Sequence, residues 1–333
     1  MAVTLTEASK NAQTDLDVQV IDEFRKESAV LDSLVFDDAV NPAGGGATMT
    51  YGYRRLTSQP TAATRELNTE YSPSTVTTEQ YTTNLAVMGG SFEVDRVISR
   101  IGPNASGAVA LNLRQKVKAT VTKFQDEVIN GDVGADAHGF DGLDKALTGS
   151  TTEFRAASVT DLSDLDTSAA TKFTALDALD EFLALLDGTP TVIVGNAKAL
   201  AKIRAIVRRT GMYTRDPIEG LVGADGRPIS RESYGGVVFV DAGNKAGSNN
   251  PIIPVETRDV GGSKTNLTDL YAYRVGLDGF HGVTTVGSQM VATYLPDFST
   301  PGAVKKGEVE LGPVSVALKS TKAAAVYRNI KVA

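Results

Sequence analysis

The segment GAVALNLRQKVKATVTKFQDEVING, residues 107–131, carries the strongest structural signal in the chain. Its apolar side chains recur at steps of three or four residues, as on one face of an α-helix. The members of this stripe are Leu113, Val117, Val121, Phe124 and Val128. Asn104 or Ser106 can cap the start, and Asn130-Gly131 supplies a left-handed stop. We therefore predict a rod-like helix over about 107–130, roughly 35 Å long at about 1.5 Å per residue.

Downstream of this helix, helix and strand patterns follow one another without a regular β-α-β repeat. Asn196 caps a predicted helix that runs to Arg209. Another helix is predicted at 168–187, stopped by Gly188, with an inward face made of Phe173, Leu176, Leu179, Leu183 and Leu186. Strands are predicted at 191–194, 236–240, 269–275, 314–318 and 324–330. This mixture is typical of the α+β class.

Upstream of the long helix, residues 48–56 and 75–87 are rich in threonine, valine and tyrosine, as strands are. The polar, turn-prone segment between them predicts a long two-stranded hairpin with little apolar cover. A lone hairpin is marginally stable in water, so this one needs a second surface to lie against. The sequence offers no obvious partner for it within the same chain.

Residues 1–40 form an acidic segment. They carry nine acidic and three basic residues, which accounts for nearly all of the net charge of −7. Ile21, Phe24, Leu31 and Leu34 recur at near-helical spacing, so a short amphipathic helix is predicted around 17–33. The segment has too little apolar surface to fold alone, and we expect it to pack on something else.

Composition argues against several classes of protein. With 33 basic and 40 acidic residues, the chain is unlike a nucleic-acid binder held by phosphate contacts. Cysteine is absent, which excludes disulfides and thiolate metal sites and agrees with assembly in a reducing cytoplasm. No apolar run approaches the ~20 residues that cross a bilayer, and the first residues lack a signal-peptide pattern. A membrane or exported protein is not expected.

Patterns of catalytic residues are scarce. The two histidines are His138, in a glycine-rich loop, and His281, beside a predicted strand, and the sequence has no G-x-S-x-G motif for a serine nucleophile. Residues 261–265, Gly-Gly-Ser-Lys-Thr, resemble a phosphate-binding loop, but serine precedes the lysine and a strand follows. We predict a plain loop there, and no catalytic or cofactor site in the chain.

One acidic loop has the side chains of a cation site. It contains Asp132, Asp136, His138 and Asp141. Their spacing matches no EF-hand and provides no histidine pair. We therefore predict a turn in which the aspartates bond their own backbone, without a metal.

A basic stretch without acidic residues spans 196–215. Its cations are Lys198, Lys202, Arg204, Arg208, Arg209 and Arg215. We interpret them as the solvated face of a helix, with cations near its C-terminal end as the helix dipole prefers. A contact with nucleic acid, with an acidic partner or with another subunit would use the same face.

The order of these parts resembles the major capsid proteins of tailed bacteriophages, whose fold is shared with encapsulin compartments. The likeness covers nearly the whole chain, and includes the family's long spine helix with its Asn-Gly-Asp and Gly-Leu turns. The stretches that carry it are FEVDRVI (92–98), FQDEVINGD (124–132), GFDGL (139–143), TVIVGN (191–196), YAYRVG (271–276), GFHG (279–282) and KAAAVYRNI (322–330).

The resemblance implies a division of the chain by position. Residues 1–46 correspond to an N-terminal arm and 47–88 to an extended hairpin loop laid across a neighbour. A peripheral domain would comprise 89–165 and 288–333, with the spine helix in it, and an axial domain would comprise 166–287.

The function implied by the resemblance is that of a major capsid protein. Such a protein self-assembles through hexamers and pentamers into an icosahedral shell that encloses double-stranded phage DNA. The expected location is the virion capsid, assembled in the bacterial host cytoplasm. Separate scaffold, portal and decoration proteins are expected as partners, with no cofactor, no metal, no membrane and no enzymatic activity.

Subunit contacts are expected in two regions. In the hairpin, burial of apolar surface is assigned to Tyr51, Tyr53, Leu56 and Tyr71, and charged contacts to Arg54, Arg55, Arg65, Glu66 and Glu70. A loop at 295–312, with Asp297, Lys305 and Lys306, would meet neighbours at the local threefold axis.

Two features depart from some relatives in this family. No lysine occurs between Lys26 and Lys116, so an isopeptide bond from a lysine of the extended loop is not expected. About forty residues precede the hairpin, too few for a cleaved scaffolding segment, so a separate scaffold or none is expected.

Two alternatives remain open from the sequence. An encapsulin-type compartment would have the same fold but would need a groove for a cargo peptide, which the acidic segment does not obviously provide. A β-rich enzyme or adhesin with a metal loop at 132–141 belongs to a different class.

Overall fold

A computed structural model describes residues 30–40, 48–100, 105–163, 169–209, 214–222, 228–234, 236–285 and 290–333. The helices are α1 (Val30–Ser33), α2 (Ala105–Asn130), α3 (Leu143–Leu147), α4 (Ala169–Leu183) and α5 (Ala197–Arg209), with 3-10 turns at Ile98–Arg100 and Thr321–Ala323. The strands are β1 (Phe36–Asp37), β2 (Thr50–Ser58), β3 (Thr77–Asn84), β4 (Ala86–Asp95), β5 (Glu153–Phe154), β6 (Thr160–Asp161), β7 (Val192–Gly195), β8 (Thr214–Val222), β9 (Pro228–Tyr234), β10 (Val237–Asp241), β11 (Glu256–Asp259), β12 (Ser263–Tyr273), β13 (Phe280–Thr284), β14 (Val291–Tyr294), β15 (Val304–Leu318) and β16 (Ala324–Lys331). Within the described ranges, no helix combines the length and the hydropathy needed to cross a bilayer.

The long helix α2 is confirmed, and it packs on β4 and β15. Phe124, Val128 and Ile129 in its C-terminal half are fully buried. Leu113 and Val117 in its N-terminal half are only half-buried. The apolar stripe predicted from the sequence therefore contributes most to the core near the end of the helix.

Gly131 ends α2, but not through the left-handed backbone that the Asn-Gly pair predicts. It is not among the described glycines with a positive φ. A Cβ atom at this position would lie 2.2 Å from the carbonyl oxygen of Phe140 and 2.5 Å from that of Glu127. The amide of Gly142 donates to the carbonyl of Gly131, which holds the following loop against the helix end. Glycine is required here because a side chain would not fit, and not because the backbone is left-handed.

The first sheet is organised by the long strand β15. On one edge β15 pairs antiparallel with β4, and on the other edge with β14 and then β13. The short strand β1 joins the outer edge of β13, so the residues around Phe36 are part of the body. Val30 and Leu34 are buried in the main core.

The second sheet runs in the order β5-β16-β12-β7-β10-β9-β8, with β6 beside β16 and β11 beside β12. The strands predicted at 191–194, 236–240, 269–275 and 324–330 are all confirmed within it. Helices α4 and α5 cover one face and share an apolar cluster with it. Asn196 caps α5 as predicted, because its Oδ1 accepts a hydrogen bond from the amide of Lys198.

A partly buried polar network links α3 to the second sheet. The Arg328 guanidinium on β16 pairs with Asp144 on α3, with Glu153 and with Asp269 on β12. Asp144 also accepts a hydrogen bond from the Tyr271 hydroxyl. The side chain of Arg328 is 11% exposed, so its charge is compensated almost entirely inside the protein.

Several sequence predictions are corrected by these elements. The second hairpin strand ends at Asn84, because Ala86–Asp95 pairs with β15 instead. Ser263 begins a strand, so the predicted loop at 261–265 is only the turn that connects β11 to β12. Helix α4 ends at Leu183 rather than 187. Phe173, predicted to point inward, is 58% exposed.

One larger prediction needs revision as well, and the domain division stays a prediction. The predicted loop at 295–312 is strand from Val304 onward, so the loop itself covers 295–303. Residues 324–331 were assigned by resemblance to the peripheral domain, yet β16 pairs with β12 of the predicted axial domain. The two domains therefore share a sheet across that boundary, and the division remains a prediction. The helix predicted at 17–33 lies mostly outside the described residues, apart from Val30–Ser33.

Candidate assembly surfaces

The base of the hairpin is anchored to its own chain. Tyr51 on β2 is 6% exposed and clusters with Val40, Leu85 and Val283. Its hydroxyl donates to Asp37 Oδ2 over 2.8 Å, and burial together with that carboxylate raises the pKa of Tyr51 well above its usual value. The ring of Tyr51 therefore already lies inside the subunit, and its contact with a neighbour stays a prediction.

Arg55 provides a second anchor. Its guanidinium donates from Nε to the carbonyl of Lys319 and from Nη2 to that of Leu318, at the end of β15. The same group lies 4.2 Å from the centre of the Tyr81 ring, which stacks on Tyr53 across the strand pair. Tyr53 and Arg55 are thus engaged within the chain, and only part of their surface is left for another subunit.

A buried histidine lies beneath this base. His281 on β13 is fully buried, and Tyr51 meets its ring edge-on at a centroid distance of 5.8 Å. Its Nε2 is 3.9 Å from Asp37 Oδ2, and neither ring nitrogen has a hydrogen-bond partner of good geometry in the described parts of the chain. Burial and the charge of Lys319 lower the pKa of His281. The lowered pKa favours a neutral His281 ring when the hairpin base is packed over it.

Beyond its base, the hairpin is exposed to solvent. Every residue from Leu56 to Gln80 is exposed. Leu67 is 89% exposed and Tyr71 59%, and Leu56 and Val76 are also open to solvent. Strands β2 and β3 form a sheet of their own, so each has an outer edge without a strand partner in the described residues. Exposed apolar side chains beside open strand edges favour an interaction site here.

The tip of the hairpin is nevertheless organised. The amide and the hydroxyl of Thr69 donate to the carbonyl of Glu66, and Arg65 donates to the carbonyls of Glu66 and Thr69. The Arg65 guanidinium lies 5.5 Å from the centre of the Tyr71 ring. Asn68 has a φ of 68°, which an asparagine at a turn adopts readily. These contacts hold the tip in one shape, with Leu67 at its outermost point.

The second expected contact region is the loop at 295–303. Asp297 Oδ1 accepts hydrogen bonds from the amide and hydroxyl of Ser299, which lower the pKa of Asp297. Lys305 Nζ donates to Thr300 and to the carbonyl of Pro301, so it closes the loop on itself. Lys306 pairs with Glu308, which raises the pKa of Lys306. All three predicted residues have partners within the chain, and Leu295 beside them is exposed.

The structure thus groups the predicted contact residues into three sets. Tyr51, Tyr53 and Arg55 meet at the hairpin base, and Arg65 and Tyr71 meet at the tip with Glu66. Asp297, Lys305 and Lys306 belong to the loop and the start of β15. The charged side chains of Arg54 and Glu70 are exposed on the hairpin. Which of these side chains touch another subunit remains a prediction.

Sequence reasoning missed residues in each region. Tyr81 pairs directly with Tyr53 in the strand register, so alignment of the two hairpin strands would have found it. Leu67, at the tip, is an apolar residue in a mostly polar loop, so the sequence alone could have identified it as a candidate contact residue. Lys319 contributes a backbone carbonyl to Arg55, and the sequence carries no sign of that role.

The acidic loop after α2 behaves as a turn, as predicted. Oδ1 of Asp132, Asp136 and Asp141 accepts a hydrogen bond from the amide of Gly134, His138 and Val133 respectively. Lys145 pairs with Asp132, and the backbone and this lysine lower the pKa of Asp132. Among the described residues, no group of three or more histidine, aspartate or glutamate side chains is arranged to hold a metal ion.

These elements define a class of fold: the capsid fold shared by tailed phages and encapsulins. An extended hairpin, a long spine helix and a body with two sheets follow one another along the chain in that order. No family model and no curated protein matches the sequence.

Solved structures match over nearly the full length. The SrpI encapsulin of Synechococcus elongatus PCC 7942 superposes with a TM-score of 0.61 at 17% identity, covering 100% of this chain and 97% of that one. A chain of Mycobacterium phage Bobi gives 0.58 at 13% identity, with 98% of both chains covered. The capsid of the Myoviridae phage XM1 gives 0.55 at 12% identity, covering 96% and 98%.

Proposed function

We propose that this chain is the major capsid protein of a tailed phage. Its subunits assemble through hexamers and pentamers into an icosahedral shell around double-stranded DNA. The role is mechanical, without catalysis. The observation that supports it best is the hairpin, which is anchored to its own body at Tyr51 and Arg55 but wholly exposed from Leu56 to Gln80.

The exposed apolar side chains of the hairpin supply much of the proposed contact energy. Burying a leucine or a tyrosine of this kind against a neighbour contributes roughly 1.5–3 kcal/mol. Exposed ion pairs through Arg54, Glu66 or Glu70 add only about 0–1 kcal/mol each. A subunit held by several neighbours at once gains further through effective concentration, so modest contacts close a stable shell.

The acidic character of the chain suits a container for DNA. A shell of subunits that each carry a net charge of −7 would enclose DNA without binding it tightly. Sequence-specific binding of DNA is not part of the proposal. The proposed location is the virion, after assembly in the bacterial host cytoplasm. A separate scaffold, a portal and decoration proteins are the other partners we propose.

An encapsulin-type compartment is the second candidate. The observation that favours it is the match to an encapsulin over the whole of this chain, with a TM-score of 0.61. Both candidates need the same hairpin contacts, so the two differ in what the shell contains rather than in how it closes.

Electron microscopy of the purified protein tests the shared part of the proposal. Closed shells with icosahedral symmetry are expected, and a chain that stays monomeric at high concentration would refute it. Particles from the native source that contain nuclease-protected double-stranded DNA support the phage assignment. Particles that lack DNA and contain a packaged protein would support the encapsulin candidate instead.

A hairpin deletion tests the observation on which the proposal depends. Removing residues 58–74 joins Thr57 to Thr75 and leaves the anchors at Tyr51, Tyr53, Arg55 and Tyr81 in place. The subunit is expected to fold, by circular dichroism and thermal unfolding, and to form no closed shells. A control variant replaces 58–74 by glycine and serine at equal length and should fail in the same way. Normal particles from the deletion variant would overturn the proposal.

A further inference from the structure

Two anchors of the hairpin root differ in their response to pH. The first is the packing of Tyr51 over His281, with a hydrogen bond from its hydroxyl to Asp37, which we call the Tyr51 contact. The second is the pair of hydrogen bonds from Arg55 to carbonyls at the end of β15. A guanidinium stays charged throughout the pH range of folded proteins, whereas a histidine gains its charge near neutrality. Acid can therefore act on the first anchor and leave the second intact.

The Tyr51 contact lies outside the two large apolar cores. Tyr51 shares a separate, smaller cluster with Val40, Leu85, Val283 and Ala317. The two larger clusters are made of other residues. Parts of a protein with few buried apolar contacts open at a lower free energy than the whole molecule unfolds. The root of the hairpin can accordingly open while both cores stay packed.

A fully buried histidine lies under the Tyr51 ring. The groups that face His281 from the elements packed against it are Tyr51 from β2, Asp37 from β1 and Lys319 from the end of β15. Neither ring nitrogen makes a hydrogen bond of good geometry within the described residues, and Nε2 is 3.9 Å from Asp37 Oδ2. Because buried polar atoms are nearly always paired, this ring is an exception that requires an explanation.

The closed root disfavours the charged form of the ring. Burial and the positive charge of Lys319 lower the pKa of His281, and the Asp37 carboxylate and the carbonyls of Gly276 and Gly279 offset only part of this effect. When the root opens, solvent reaches the ring and its pKa returns to about 6.5. The open state then binds the proton more tightly than the closed state, so acidification shifts the balance toward opening.

A new ion pair between His281 and Asp37 is the competing outcome of protonation, and it would tighten the root. However, Asp37 Oδ2 already accepts from the Tyr51 hydroxyl, and 3.9 Å exceeds hydrogen-bond range. The Lys319 ammonium, 5.4 Å from the centre of the Tyr51 ring, repels a second positive charge beneath that ring. A buried imidazolium here leaves its donors unpaired, which is costly.

We propose that the Tyr51 contact is a proton-sensitive switch: protonation of His281 opens it and leaves the hairpin attached to its body through Arg55. With one of its two anchors open, the hairpin is free to change its direction relative to β15 without unfolding of the body. The switch acts within a single subunit. It goes beyond the proposed function and does not depend on it.

Single cysteines test for this opening, since the chain has none of its own. Ala317→Cys places a thiol in the small cluster, directly opposite His281 in the strand register. Ala272→Cys places one in the second sheet, where the side chain is also fully buried, and Ala62→Cys provides an exposed reference. Each full-length variant is labelled with 4,4′-dithiodipyridine, which reacts with thiols in acid, at pH 7.5 and 5.5. Every rate is divided by the rate of the exposed reference at the same pH.

The normalised rate of the Ala317→Cys variant is expected to rise on acidification, while that of the Ala272→Cys variant stays constant. The upper limit of the rise is about tenfold, because one proton is taken up at a pKa of about 6.5. A constant rate at position 317 would overturn the proposal, and a fall would indicate the tightened ion pair instead. An equal rise at position 272 would also overturn it, because the whole subunit would then be opening.

A second substitution assigns the effect to the buried ring. His281→Gln, combined with Ala317→Cys, removes the titrating group and should abolish the rise. His138→Gln in the same background is the matched control and should preserve it, because His138 is exposed. A rise that persists after the change at position 281 would contradict the switch.

Lys319→Gln keeps the proposal testable where the His281 variant fails to fold. Removing this charge brings the pKa of the closed-state ring nearer to its ordinary value, so the rise between pH 7.5 and 5.5 should become smaller. The ratio of the two rates is compared, because loss of the ammonium over Tyr51 changes both rates together. Lys322→Gln, at an exposed lysine nearby in the chain, should leave the ratio unchanged. An undiminished rise in the Lys319 variant would overturn the proposal.

Discussion

The guanidinium of Arg55 lies 4.2 Å above the ring of Tyr81, on the opposite strand of the hairpin. Because Arg55 also donates to the carbonyls at the end of β15, one side chain clamps both hairpin strands to the body. The direction in which the exposed part of the hairpin leaves the subunit is therefore set by a few contacts at its base.

Arg55→Ala should lower the free energy of unfolding by about 2 kcal/mol, because it removes hydrogen bonds from a charged donor together with a cation–π contact. Urea denaturation measures the change. Arg54→Ala is the control, since that side chain is exposed on the same strand, and its effect should stay within about 0.5 kcal/mol. Equal effects of the two substitutions would contradict the clamp.

Leu67→Ser with Tyr71→Ser should leave the isolated subunit unchanged, because both side chains are exposed. Its free energy of unfolding is expected to move by less than about 0.5 kcal/mol. The fraction of protein in shells should fall at a given concentration, as counted by electron microscopy. Ala62→Ser with Ala63→Ser, in the same loop, is the control, and full assembly of the Leu67 and Tyr71 variant would argue against an apolar hairpin contact.

Stability should depend on pH through His281. Its pKa is lowered in the folded state by burial, so on acidification the unfolded chain takes up the proton first. The contribution of the neutral ring is fully present above about pH 6.5 and is lost as the pH falls toward the folded-state pKa. Urea midpoints at pH 7.5 and 5.5 measure this loss.

His281→Gln should reduce the difference between those two midpoints, whatever its effect at a single pH. His138→Gln is the matched control, because His138 is exposed in the loop after α2. A pH dependence that survives in the His281 variant would assign the effect to other groups.

Arg328→Met should destabilise the subunit by about 3 kcal/mol, since it leaves the carboxylate of Glu153 buried without a cation and leaves Asp269 with Arg258 alone. Lys331→Met, on the same strand, breaks a solvent-exposed pair with Asp161 and should cost less than about 1 kcal/mol. Chemical denaturation compares the two. If the methionine variant fails to fold, Arg328→Lys, which keeps the charge but not the fork of donors, should still cost more than the change at Lys331.

Gly131→Ala should cost more than about 2 kcal/mol, because a Cβ atom there would meet two backbone oxygens that cannot move aside. Gly52→Ala is the control, since its Cβ atom would have its nearest neighbour at 3.6 Å, an ordinary contact. Thermal unfolding of both variants checks the difference, and a mild effect at position 131 would mean that the helix end can shift.

The sequence predicted those elements of the fold that show a local pattern, such as the helical spacing of apolar residues or a strand-like composition. The stripe from Leu113 to Val128 and the strand composition on both sides of the hairpin tip are local signals, and both elements are confirmed. Phe173 shows the limit of this reasoning. It lies at the edge of the apolar stripe of α4, where spacing alone does not separate a buried position from an exposed one.

The anchoring of the hairpin could not be predicted for a different reason. Arg55 binds backbone carbonyls of β15, and every residue type presents the same carbonyl. Tyr51 was assigned to a neighbour because the chain gave no sign of the pocket formed by Val40, Leu85 and Val283. Arg55 and Lys319, and likewise Tyr51 and Val283, are more than two hundred residues apart, and a single sequence does not show that they are close in space.

Strand β15 gives the subunit a fixed internal length. Its 15 residues span roughly 45 Å at about 3.3 Å each, from the loop at 295–303 to the carbonyls that hold Arg55. Three antiparallel ladders flank it, and a slip of one residue would turn every side chain to the wrong side of the sheet. The separation between the loop and the root of the hairpin is consequently constant from copy to copy. Differences in shape between copies are therefore expected outside β15.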